Sequence, residues 1–201
     1  MYQYFIIYKP YGVISKFTPE HKYKTLGEVY PFPKNVYPVG RLDTDSEGLL
    51  LLTDDKKLNH ALLNPLKRHE RTYWVQVEGA IDNKAIAALE KGVTISIEGK
   101  LYNTLAAKAR IIEAPAILPE RFPPVRYRKN IPTTWIELKL VEGKNRQVRR
   151  MTAKVGHPTL RLVRAAIEKI HLNHITNEKI IQPGSVRQLS QKEIYQLLNM
   201  A

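Results

Sequence analysis

Three carboxylates fall on alternate residues of one short stretch, Asp43-Thr44-Asp45-Ser46-Glu47, with Gly40-Arg41-Leu42 before it and Gly48 after it. The apolar run Leu49 to Leu52 follows at once. Acids at this spacing suit three kinds of chemistry. As metal ligands, Asp43, Asp45, Glu47 and Asp54 imitate the spacing of a calcium-binding loop. That loop needs a helix on each side, whereas Pro38-Val39-Gly40 precedes this one and a strand-like run follows it. As turn formers, Asp45 and Ser46 can bond their own backbone. As a catalytic carboxylate, Asp43 can attack carbon and form a covalent intermediate. A carboxylate working in a covered cleft needs a cationic neighbour, because burial alone would neutralise it.

A basic stretch downstream offers such neighbours. Between Gly143 and Arg164 the chain carries Lys144, Arg146, Arg149, Arg150, Lys154, Arg161 and Arg164, and no acid. At about 100° per residue, a helix running from Arg146 to about Val155 places Arg146, Arg149, Arg150 and Lys154 on one face. Val148, Met151, Thr152 and Val155 then fall on the other. Such a helix buries its apolar stripe and presents cations with no acid to pair them, a face suited to phosphates. Arg149, beside the apolar stripe, is best placed to lean toward Asp43.

The elements that must hold these residues follow from the remaining pattern. Tyr2 to Tyr8, Val13 to Phe17, Leu49 to Thr53, Thr72 to Glu78, Val93 to Ile97, Thr104 to Ile112, Thr133 to Val141, Thr159 to Val163 and Lys169 to Leu172 read as strands. Helices are predicted over Lys56 to Leu63, capped by Asp54 or Asp55, and over Lys84 to Lys91, capped by Asp82 and closed by Gly92. A third follows an Asn145 cap, and the last, Ile194 to Leu198, opens on a Ser190-Gln191-Lys192-Glu193 capping box. Residues 113–132 hold five prolines and the cluster Arg126-Tyr127-Arg128-Lys129, and read as a long surface loop. Strands and helices without strict alternation predict an α+β fold with a mixed, largely antiparallel sheet.

Composition narrows the setting. The chain of 201 residues is 43% hydrophobic, enough for a core in one large domain. It has no cysteine, which excludes disulfides and thiolate metal sites. The apolar start Phe5 to Tyr8 is too short for a signal peptide or a membrane span, so a soluble cytoplasmic protein is expected. Lys and Arg number 32 against 19 Asp and Glu, and the formal net charge of +13 favours a polyanionic partner. The six histidines, His21, His60, His69, His157, His171 and His174, show no metal-ligand spacing.

Gly40-Arg41-Leu42-Asp43 with Ser46-Glu47-Gly48-Leu49-Leu50-Leu51-Leu52-Thr53, and Glu142-Gly143-Lys144-Asn145-Arg146-Gln147-Val148-Arg149-Arg150-Met151 downstream, resemble the bacterial ribosomal pseudouridine synthases, in the group formed by the A-type enzyme of the small ribosomal particle and the B-, E- and F-type enzymes of the large one. The likeness runs from Lys9-Pro10-x-Gly12 to the last helix. It implies isomerisation of uridine to pseudouridine in ribosomal RNA, within one catalytic domain whose two halves flank a cleft, without metal or organic cofactor. By position Asp43 matches the family's catalytic aspartate, and Tyr73, in Arg71-Thr72-Tyr73, the tyrosine that stacks on the base. Arg149 matches the basic partner of the aspartate, Arg41 an arginine that holds the base out of the helix, and Leu162 an apolar residue lining the pocket. Lys144, Arg146, Arg150, Lys154 and Arg164 are the expected RNA-binding set. Many relatives carry an S4-type RNA-binding domain before the first motif. With that motif at Lys9, none is expected here, a pattern resembling the E-type enzymes of the group and pointing to 23S RNA. A monomer is expected. Two other readings survive the residues alone: an RNA-binding module without chemistry, and a metal-dependent nuclease using Asp43, Asp45 and Glu47.

Overall fold

The computed structural model describes residues 2–20, 22–126 and 128–198; His21 and Tyr127, both named above, lie outside these. In chain order the strands are β1 (Tyr4–Lys9), β2 (Val13–Ile14), β3 (Lys24–Thr25), β4 (Tyr37–Pro38), β5 (Glu47–Thr53), β6 (Arg71–Glu78), β7 (Thr94–Ile97), β8 (Lys100–Asn103), β9 (Lys108–Ile112), β10 (Thr133–Leu140), β11 (Thr159–Ile167), β12 (Ile170–His171) and β13 (Val186–Leu189). The helices are α1 (Lys56–Leu63), α2 (Asn83–Lys91), α3 (Gln147–Lys154) and α4 (Gln191–Leu197).

One sheet dominates, in the order β13-β1-β5-β11-β6-β10-β9, with β4 and β12 paired at its margins. Its pairings are antiparallel except one: β5 and β11 run parallel, matched only at Glu47–Val163 and Gly48–Arg164. The fold is α+β with a largely antiparallel sheet, as predicted. The parallel junction joins β13-β1-β5 to β11-β6-β10-β9, and the residues that could do chemistry gather around it.

The core explains why β5 reads as an unbroken apolar run. Leu49 and Leu51 pack with Tyr4, Ile6, Tyr8, Leu58 and Ile194 on one side, and Leu50 and Leu52 with Phe5, Ile7 and Leu26 on the other. A strand covered on both faces needs no polar alternation. Beyond the junction, Val75, Ile136, Leu138 and Leu162 meet Leu89 of α2 and Val148 and Met151 of α3. Three predicted caps form: Asp55 accepts from Lys57 N and Leu58 N, Asp82 from Ala85 N, and Ser190 from Glu193 N; the Asn145 cap does not, because Arg146 takes the cap position of α3 with no side-chain cap bond.

Several predicted boundaries move. The strand read over Thr104 to Ile112 begins only at Lys108. Thr104 bonds back to Val93 through its backbone N–H and its Oγ1, and Leu105 N donates to Glu142, so this backbone is spent elsewhere. In its place β8 pairs with β7 as a hairpin. The strand expected to stop at Val163 continues to Ile167, because Arg164, which looks like a surface residue in the sequence, is buried within it. Edge strand β13 went unread, since only Leu189 of its four residues is buried.

Candidate active site

The Asp43 loop is fixed from below before it reaches β5. Leu42 bonds Ser15 twice, its N–H donating to Oγ at 3.0 Å and its carbonyl accepting from it at 2.9 Å. Gly12 N donates to Thr44 O, and Ser46 N closes a turn on Asp43 O. Under this contact lies Lys9, fully buried, its Nζ donating to Pro10 O at 2.9 Å and Val13 O at 2.5 Å. Burial pushes the Lys9 ammonium down to about 7, although Glu47, Asp45 and Asp43 pull the other way.

Gly48 permits the close approach that forms the junction. Its φ is +110°, and a Cβ there would lie 2.4 Å from Arg164 O and 2.6 Å from Arg164 N. No side chain fits between the two backbones. Adjacent Glu47 is buried and chelated by Arg161, with Nε–Oε1 and Nη2–Oε2 both at 2.9 Å, while Tyr8 Oη donates to Oε2 at 3.0 Å. Arg161 also donates to Pro119 O, tying the 113–132 loop to the same point. The sequence offered a signal for this pair: in Arg161-Leu162-Val163-Arg164 the two arginines are three apart, so a strand sends them to opposite faces.

The acids of the loop therefore do not converge. Glu47 faces Arg161, and the described residues contain no group of three or more His, Cys, Asp or Glu arranged to hold a metal ion. Asp45, read from sequence as a turn former, is the anchor of two arginines. Arg146 grips it with Nη2–Oδ2 at 2.7 Å and Nη1–Oδ1 at 3.1 Å; Arg149 donates to Asp45 O at 2.6 Å and has its Nε 3.3 Å from Oδ2. Burial pushes the Asp45 carboxyl up, but the Arg146 hydrogen bonds and the Arg149 charge outweigh it and hold it below the usual carboxylate range.

The ion-pair partner of Asp43 differs from the expected one. Arg146 Nη1 lies 3.6 Å from Asp43 Oδ2, while the ion pair of Arg149 is with Asp45. The reason is local. Helix α3 starts at Gln147, not Arg146, and Arg146 caps it in the left-handed region at φ 51°. Standing outside the helix, Arg146 reaches the outer end of the loop, and Arg149, one turn further in, reaches its base.

Asp43 opens onto a cavity of about 270 Å³. Its floor comes from the strands beyond the junction. Arg164 on β11 stands directly opposite Tyr73 on β6, and Leu162 opposite Val75. Tyr73, Leu162 and Arg164 line the cavity with Asp43, Arg41 and Arg146. Leu162 is 6% exposed and packs with the α3 core, and Tyr73 is half-buried. Arg164 corrects the expected RNA-binding set: it is only 4% exposed, and its Nε donates to Leu49 O at 2.8 Å. Alternation along β11 turns it inward, away from any surface phosphate.

The remaining cations divide by position. Arg41 is exposed at the cavity rim, and Lys154 is exposed on α3. Lys144 is exposed and lies over the Tyr102 ring at 4.8 Å. Arg150 is half-buried and donates to Ser96 O and Asn145 O. The motif residues Glu142 and Gln147, unassigned from sequence, brace the segment between them: Gln147 Nε2 donates to Glu142 Oε1 at 2.6 Å and Lys144 N to Gln147 Oε1 at 2.9 Å.

Residues 3–154 match the family model described as RNA pseudouridylate synthase. The chain is 47% identical over 184 residues to the ribosomal large subunit pseudouridine synthase E of Vibrio parahaemolyticus, covering 92% of this chain and 72% of that protein. It is 51% identical over 165 residues to the enzyme of the same name from Xanthomonas axonopodis pv. citri, covering 81% and 84%. A solved pseudouridylate synthase superposes with a TM-score of 0.77 at 28% identity, covering 98% of this chain and 74% of that one. The α+β sheet, the cleft at its parallel junction and these matches define one class: the chain belongs to the RNA pseudouridylate synthase family and is an isomerase.

Proposed function

We propose that this enzyme converts a specific uridine to pseudouridine in the RNA of the large ribosomal particle, acting as a cytoplasmic monomer on a base flipped out of its stack. The observation that carries the reading is the convergence of Asp43, Tyr73 and Leu162 on one small cavity from three separate parts of the chain. The names of the relatives support ribosomal RNA as substrate, and those of the E type support the large particle.

The target nucleotide leaves the stack at a cost of a few kcal/mol, about what phosphate contacts return. Lys144, Arg150 and Lys154 make those contacts, while Arg41 at the rim holds the vacated position. Asp43 promotes cleavage of the N1–C1′ bond, by attack on C1′ or by removal of a sugar proton. Arg146, with Arg149 behind Asp45, keeps Asp43 aimed. The freed uracil turns between Tyr73 and Leu162, rejoins through C5 and loses its C5 proton.

Tritium release from ribosomal RNA transcripts or immature ribosomal particles carrying 5-tritiated uridine tests this, because a C–C glycoside at C5 must expel that hydrogen. The expected result is release indifferent to EDTA and reduced by about 10³-fold or more in Asp43→Asn. Release that persists in Asp43→Asn removes the aspartate mechanism, and no release from either RNA form removes the substrate assignment.

A further inference from the structure

The two walls of the cavity differ in how their charges are paired. On one, Asp43 lies 3.6 Å from Arg146, with Arg41 beside it. The other holds Arg71 and Arg164, bound only to neutral oxygens: Arg71 donates to His69 O and Leu62 O, both at 3.2 Å, and Arg164 to Leu49 O at 2.8 Å. Among the described residues no carboxylate lies within ion-pair distance of either arginine, and Arg164 Nη2, sealed from solvent, has no partner at all. Buried charges are normally paired, since a lone one forfeits its hydration. An arginine left unpaired inside a cleft is a cation whose counter-charge comes from elsewhere.

The reaction supplies one. When N1–C1′ breaks by either route at Asp43, the bond's electron pair leaves on the base, giving a uracil anion delocalised over N1, O2 and O4. The sugar is held at Asp43, so the base lies against the wall of Arg71 and Arg164. We infer that Arg164 stabilises the negative charge on the departing uracil directly, through the low-dielectric wall of the cavity. The guanidinium is fixed in place by its Nε bond to Leu49 O before N1–C1′ breaks, so no reorganisation is needed as the charge develops. When C5 attacks C1′ the pair returns to the sugar–base bond, and Arg164 is again alone. This assignment rests on the pseudouridine reading above and adds to it an electrostatic partner for the leaving base.

The test uses leaving-group strength. Ribosomal RNA substrates containing uridine or 5-fluorouridine are compared in single-turnover reactions of the full chain, following loss of the N-glycoside in nuclease digests. Fluorine at C5 stabilises the uracil anion by itself. Arg164→Met is expected to slow uridine RNA by about 10²-fold and 5-fluorouridine RNA by about tenfold less than that. Arg164→Lys, which keeps the charge, is expected to fall between Arg164→Met and wild type on both. The ratio of the two substrates is read in one enzyme sample, so partial misfolding cancels from it. An equal loss on both RNAs, in Arg164→Met or in Arg164→Lys should the former not fold, overturns the assignment and leaves the pseudouridine reading intact. If the wild type converts neither RNA, the pseudouridine reading fails and takes this one with it.

Discussion

Two arginine–carboxylate clusters meet at the junction of β5 and β11, and they are built to opposite standards. Glu47 and Arg161 are dry, bidentate and closed off by the Tyr8 hydroxyl. Asp43, Asp45, Arg146 and Arg149 are open: Asp43 and Asp45 are each about one-third exposed, and Asp43 is held by a single contact at 3.6 Å. The closed cluster ties β5 to β11 and has no valence left for a ligand. The open one is anchored through Asp45, which leaves Asp43 a cationic neighbour without a bidentate grip. Within five residues, one acid holds the scaffold and another stays available to react.

Breaking the closed cluster carries the largest expected effect. Glu47→Gln leaves Arg161 charged and buried, and is expected to cost about 3–5 kcal/mol in urea unfolding. Replacing both, Glu47→Gln with Arg161→Met, should restore part of that loss. A Glu47→Gln protein of unchanged stability would erase the distinction between the clusters.

The open cluster should respond in activity before stability. Asp45→Asn releases Arg146 and Arg149 while leaving Asp43 in place, and an activity loss of about 10- to 30-fold is expected with a stability change near 1 kcal/mol or less. Single-turnover rates beside melting curves separate the two. The folded-state carboxyl of Asp45 is depressed, so its stabilisation is present above about pH 3.8, the ordinary aspartate value, and is lost as pH falls through the lower folded value.

The most graded effect belongs to Lys9, which sits beneath both clusters. Its folded value near 7 lies below the ordinary lysine value, so the unfolded chain binds more protons between the two. Lys9 therefore costs stability at and below pH 7, and that cost fades as pH rises toward about 10.5. Wild-type stability measured against Lys9→Met should climb with pH across this window, by up to about 1.4 kcal/mol per pH unit. A flat difference would mean that Lys9 stays as protonated in the fold as in the unfolded chain, with no depression of its folded value.

What the sequence determined by itself was local. Helix caps at Asp55, Asp82 and Ser190 were legible because a cap is a contact between residues two or three apart. The run Leu49 to Leu52 announced a buried strand, and the Gly40–Gly48 and Glu142–Met151 motifs pointed to a loop and a segment that both line one cavity. Only the tertiary structure decided which charges meet. It sent Arg149 to Asp45 and Arg146 to both Asp45 and Asp43, with Arg146 standing outside α3 in the left-handed cap position. It buried Arg164 opposite Tyr73, because the strand runs past the point where its charged residues seem to end it. It gave Glu47 to Arg161 across 114 positions of chain. Pairings between distant charges depend on register and on where backbones can touch, here at Gly48. No local pattern encodes that approach, since it exists only once the sheet has closed.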